Sequence, residues 1–137
     1  MCHLLATYGT LRDDNDSGAP WNPPFIQGIA SATTGRVTGY RLFFNPKLNY
    51  PFAISTGDAN DSVVVRVLAW PTREQFEQKL DEADEMEGVD YERKMVDVFI
   101  ESSSNTIQAH FYVARSELID DQCQPIPSGD WLRRHES

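Results

Sequence analysis

Ser62-Val63-Val64-Val65-Arg66-Val67-Leu68-Ala69-Trp70 is apolar at almost every position and rich in valine. β-Branched side chains fit a pleated sheet, and an apolar run without alternation marks a strand covered on both faces. This segment therefore predicts a central strand, with Arg66 as its one charged interruption. A helix is announced directly after it. Thr72 can cap the helix and Gln75 stands three residues later, the spacing of a capping box. The helix is expected to run to about Glu87, where Gly88 stops it.

The remaining chain reads mostly as strands. A first strand is expected over roughly 3–8, with Leu4, Ala6 and Tyr8 on one side and Leu5 and Thr7 on the other. Gly35 to Phe44 reads as a strand kinked at Gly39, Asn45-Pro46-Lys47 as a turn, and Tyr50 to Ser55 as a short strand. Gly57 to Asp61 is a turn cluster. Tyr91–Ile100 and Thr106–Ala114, separated by Ser102-Ser103-Ser104-Asn105, read as an antiparallel hairpin. Its second strand carries Ile107, Ala109, Phe111 and Val113 on one face and Gln108, His110 and Tyr112 on the other. Residues 13–34 hold three Asp, two Asn and Pro20, Pro23 and Pro24, and read as a long surface loop in which Trp21 and Phe25 pack. The tail reads as irregular, with Trp131 docked on the body. Strands do not alternate regularly with helices, so a doubly wound sheet is disfavoured. The expected class is α+β: one domain over 1–137, its mixed sheet curled or closed into a small β-barrel beside a helix.

Composition narrows the partners. A formal charge of −9 opposes binding to nucleic acid or to an anionic membrane surface. No apolar run is long enough to span a bilayer, and no leader pattern opens the chain, so a cytoplasmic location is expected. Cys2 and Cys123 make no disulfide framework. His3, His110 and His135 are far apart, and no metal spacing, phosphate loop or dinucleotide fingerprint is present. No cofactor or metal is expected, and oligomeric state is not legible.

Two segments carry chemistry. In Leu4-Leu5-Ala6-Thr7-Tyr8-Gly9-Thr10-Leu11-Arg12 an apolar run reaches a tyrosine and turns at a glycine. Glycine permits backbone angles that other residues resist. A turn there can aim backbone N–H groups into one concavity that suits a carboxylate or a developing oxyanion. The second segment is the end of the helix. At about 100° per residue, Phe76, Leu80 and Ala83 share one stripe, and Glu87 joins it about three turns after Phe76. Asp81, Glu82, Asp84 and Glu85 point sideways or outward. An inward carboxylate is costly unless paired, hydrogen-bonded or protonated, and desolvation raises its pKa toward the range needed for proton transfer near neutrality. A fraying helix end, or an ion pair of Glu87 with Arg66 or Arg93, would give it a purely structural role instead.

Together these segments resemble the gamma-glutamylcyclotransferase-like family, which includes gamma-glutamylamine cyclotransferases and avirulence-induced plant proteins. Tyr8-Gly9-Thr10-Leu11-Arg12 matches the family's turn after its first strand. Asp84-Glu85-Met86-Glu87-Gly88, followed by Tyr91-Glu92-Arg93 and Met95-Val96-Asp97-Val98, matches its helix-end motif and the strand beyond. Gly35–Leu42, Tyr50-Pro51 and Ala109-His110-Phe111-Tyr112-Val113 resemble further family segments in the expected order. Ala83 and Met86 depart from the usual leucine and aromatic residue, Leu80–Asp84 offers a rival register, and 13–34 does not follow the pattern.

The resemblance implies a small barrel with flanking helices and a central cavity. It also implies a cyclotransferase that turns a gamma-glutamyl amine or amino acid into 5-oxoproline and a free amine. Glu87 would be the general acid/base. Tyr8, Gly9, Thr10 and Leu11 would hold the substrate, with Tyr91 and Tyr112 positioning it or orienting Glu87. Arg12 and Arg93 could neutralise a substrate carboxylate or form surface pairs. Two alternatives keep the fold: a non-catalytic binding or regulatory module, and a biosynthetic enzyme working on another substrate in the same cavity.

Overall fold

The computed structural model describes residues 3–15, 18–46, 51–115 and 121–133. Expectations at Cys2, Lys47, Tyr50 and His135 lie outside them. The elements follow in the order β1 (Leu5–Thr7), α1 (Asn22–Ile26), β2 (Ser31–Thr38), β3 (Tyr40–Phe44), β4 (Pro51–Ser55), β5 (Ser62–Ala69), α2 (Arg73–Glu87), β6 (Tyr91–Ile100), β7 (Asn105–Ala114) and β8 (Gln124–Pro125). The valine-rich segment is indeed central: β5 pairs with β1 on one side and β2 on the other. Strands β1-β5-β2-β6-β7 close into a barrel, and β4-β3-β8 form a separate small sheet. Closure is made by a short parallel pairing of β1 with β7, where the His110 N–H donates to the Leu4 carbonyl at 2.9 Å.

The alternation read from the sequence sorts residues into two cores. Ala6 and Tyr8 of the first segment, Val63, Val65 and Val67 of β5, and Ala109, Phe111 and Val113 of β7 fill the barrel. Leu5, Leu68, Trp70 and Tyr112 face outward and form a second layer with Phe76, Leu80 and Ala83 of α2. Arg66 stands outside the barrel and binds Asp13 at 2.8 Å. Thr72 caps α2, its hydroxyl accepting the Gln75 N–H at 3.1 Å. Gly88, at φ 68°, ends the helix in a conformation that favours glycine.

Three expectations need correction. Residues 13–34 are not one loop: α1 begins at Asn22 with Pro23 and Pro24 in its first turn, where a missing N–H costs nothing, and β2 begins at Ser31. The first half of β2 is Ser-Ala-Thr-Thr, whose weak apolar signal hid a strand that pairs fully with β5. Gly39 does more than kink one strand. At φ 85° it passes the chain from the barrel to the small sheet, its carbonyl accepting from Thr56 and Gly57 at 2.9 and 3.1 Å. The tail is not wholly irregular, since β8 pairs with β3, although Trp131 does dock in the barrel core as expected.

Candidate active site

The Tyr8–Arg12 turn is built by its neighbours. The Arg12 N–H donates to the Gly9 carbonyl at 3.1 Å. Asn22, at the start of α1, donates from Nδ2 to the Thr10 and Arg12 carbonyls at 2.8 and 2.7 Å, and the Trp21 indole N–H donates to the Thr10 hydroxyl at 3.0 Å. Among the described residues, the amides of Thr10 and Leu11 donate to no protein acceptor. They remain available to an anion. The reason for glycine at position 9 differs from the one the sequence suggested. Gly9 does not adopt a positive φ. A β-carbon there would stand 2.6 Å from the Pro51 ring, so clearance, not backbone freedom, excludes other residues.

Arg12 also departs from expectation. It is 2 % exposed rather than on the surface, and its guanidinium binds Asp14 at 2.7 Å and Asp130 at 2.8 Å. Arg93 pairs with Asp84 at 3.5 Å in a half-exposed position, as a surface pair would.

Glu87 ends α2 on the buried stripe. Solvent still reaches part of the residue through the pocket, but protein surrounds the carboxyl, and burial pushes its pKa up to about 7. Arg66 is held by Asp13 and Arg93 by Asp84, so neither pairs with it. Among the described residues, no hydrogen bond or ion pair reaches its carboxyl. The helix does not fray before Glu87.

Three tyrosines wall the space around it. The Tyr8 hydroxyl donates to the Tyr112 carbonyl at 2.8 Å, and the Tyr91 hydroxyl to the Pro51 carbonyl at 3.0 Å. The Tyr112 hydroxyl donates to Asp84 Oδ1 at 2.6 Å. Burial, with the nearby Glu87 charge, holds Tyr8 well above the usual phenol range; burial and then Asp84 do the same for Tyr112. Both phenols stay protonated donors.

A pocket of about 310 Å³ brings these parts together. Tyr8, Gly9, Thr10, Leu11, Glu87, Tyr91 and Tyr112, all singled out in the sequence, line it. Trp21, Met86 and Asp90 line it as well and were not foreseen as site residues. The signal for Trp21 was present, an aromatic residue amid Pro20, Pro23 and Pro24, but it reads equally as packing. The Leu80–Asp84 register contributes nothing to the wall.

A mixed five-stranded barrel carrying one ligand-sized, acid-bearing pocket beside a glycine turn defines the class of protein. The chain belongs to the family described as gamma-glutamyl cyclotransferase, AIG2-like, which matches residues 5–133. Solved structures of similar fold include YkqA from Bacillus subtilis, at 21% identity and TM-score 0.66 over 93% of this chain but only 39% of that one. A protein from Arabidopsis thaliana follows at 20% identity and TM-score 0.70, covering 98% of this chain and 83% of that one. A gamma-glutamyl cyclotransferase is similar at 16% identity and TM-score 0.58, covering 90% and 71%. Likeness at these identities speaks to fold. No curated protein matches the chain. Among the described residues, no helix is long and apolar enough to cross a membrane.

Proposed function

We propose that this protein converts a gamma-glutamyl amine or amino acid to 5-oxoproline and a free amine, with Glu87 as general acid and base. One observation carries the reading: Glu87, whose carboxyl has no partner among the described residues, lines one small pocket with Thr10 and Leu11, whose amides have no acceptor among them either. The amides bind the substrate's alpha-carboxylate or the oxygen of its reacting carbonyl. Glu87 takes a proton from the alpha-ammonium. The freed amine nitrogen attacks the gamma-carbonyl carbon, a five-membered ring closes, and the bond from that carbon to the leaving nitrogen breaks. Glu87 returns the proton to the departing nitrogen, and the second proton shed by the ring nitrogen also passes to that amine, which leaves as its ammonium while the lactam keeps one N–H.

The attack is intramolecular, so confinement in a reactive conformer supplies much of the rate. A pKa near 7 suits a group that must both accept and donate a proton near neutral pH. The tyrosines are tied to backbone carbonyls and Asp84, and act as fixed walls that position substrate and acid. No step calls for a cofactor.

The test is 5-oxoproline release, read by mass spectrometry, from gamma-glutamyl amines and amino acids. Glu87→Gln should abolish release while substrate binding, measured calorimetrically, survives. Binding without release in the unsubstituted protein would favour the non-catalytic module. Release unchanged in Glu87→Gln would remove Glu87 from the mechanism.

A further inference from the structure

The departing amine can be narrowed from the mouth of the pocket, on the cyclotransferase reading above. Trp21 and Met86 both line the pocket, yet 40% and 42% of their surfaces stay exposed. Most large apolar side chains in the described chain are buried. Trp21 is also held in place. Its indole N–H is fixed on the Thr10 hydroxyl, and it sits directly before α1. That helix is anchored by Asn22 on the turn and by Phe25, 1 % exposed, whose ring meets Trp70 at 5.8 Å. Lys79 of α2 adds a hydrogen bond to the Pro24 carbonyl at 2.9 Å. A preorganised aromatic face loses little freedom when a ligand covers it. The same wall carries the carboxyls of Glu87 and Asp90, which would repel a second carboxylate on a leaving group.

We infer that Trp21, with Met86 beside the same opening, is the platform for the stem of the leaving group, and that the preferred substrates are gamma-glutamyl derivatives of amines with an apolar or aromatic stem. The glutamyl part lies inward on the Thr10 and Leu11 amides, and the stem lies outward across the indole. No additional reactant enters the chemistry.

The test compares the gamma-glutamyl amides of phenethylamine and methylamine. The phenethyl amide should be favoured by about tenfold in kcat/KM, mostly through KM, and Trp21→Ala should bring the ratio of the two amides close to one, whatever the loss of the Thr10 contact does to both. Trp21→Phe keeps an aromatic face and should retain most of it. Binding is read separately in Glu87→Gln protein by tryptophan fluorescence. Trp70 and Trp131 are buried, so a shift seen with the phenethyl amide and lost on adding Trp21→Phe reports the platform. Equal turnover of both amides, or equal loss of both in Trp21→Ala, overturns the inference and leaves the cyclotransferase reading intact. A fluorescence shift specific to the phenethyl amide without 5-oxoproline from any amide keeps the platform and removes the reaction.

Discussion

Two charged side chains meet at the Tyr8–Arg12 turn, and the molecule treats them oppositely. Arg12 is enclosed and fully answered, its guanidinium held by Asp14 and Asp130. Glu87 is partly exposed to the pocket and answered by nothing among the described residues, and burial of its carboxyl raises its pKa. A paired buried charge is structural: it ties the turn to the segment around Asp130, which docks Trp131 in the core. An unpaired one costs stability, and in the proposed function proton transfer is the use that offsets the cost. On the proposed function, the same turn thus has a locked side and a reactive side.

The contrast is open to breakage on each side. The largest effect is expected at the reactive side: Glu87→Gln should lower kcat by about 10²- to 10⁴-fold, the usual worth of general acid–base catalysis. Circular dichroism should find the fold intact. Arg12→Ala should do the reverse, lowering stability by about 3 kcal/mol in urea titrations, because it removes the buried guanidinium and its charge-assisted hydrogen bonds to the partly buried Asp130 and the more exposed Asp14. If Arg12→Ala were as stable as the parent, the locked side would be no lock.

Titration sharpens the comparison. Glu87 rises from 4.5 to about 7 on folding, so between those values the folded state holds more protons than the unfolded one. Stability from this group therefore falls as pH rises from 4.5 to 7 and stays low above it. At 1.36 kcal/mol per unit, 2.5 units give an upper figure of about 3 kcal/mol. Glu87→Gln should remove that slope, and the stability difference between the two proteins across pH isolates it. The smallest effect is expected at Asp84→Asn, which weakens the acceptor of the Tyr112 hydroxyl. A cost of about 1 kcal/mol in stability is expected. A fall in kcat without a matching rise in KM would show that Tyr112 acts through its position.

Much of this was legible in the chain because periodicity reports burial directly. The capped helix, the β6–β7 hairpin and the inward Glu87 all follow from spacing. The split of β2 from β3 at Gly39 was half legible, since glycine signals a break without saying whether the strand bends or changes sheets. Arg12 misled because an isolated arginine reads as surface, and its two acids stand 2 and 118 positions away. Gly9 misled for a similar reason. Its constraint is the Pro51 ring, a contact between distant segments that no local pattern encodes.

The hydrogen bond from Tyr8 to Tyr112 joins residues 104 positions apart, beside the parallel seam that closes the barrel. Contacts of such range form late, after the entropy of a long loop has been surrendered. During synthesis the turn and then the acid-bearing helix emerge well before β7. The turn and the helix thus exist first as separate pieces, and the pocket they share is completed when the last barrel strand slides in beside the first.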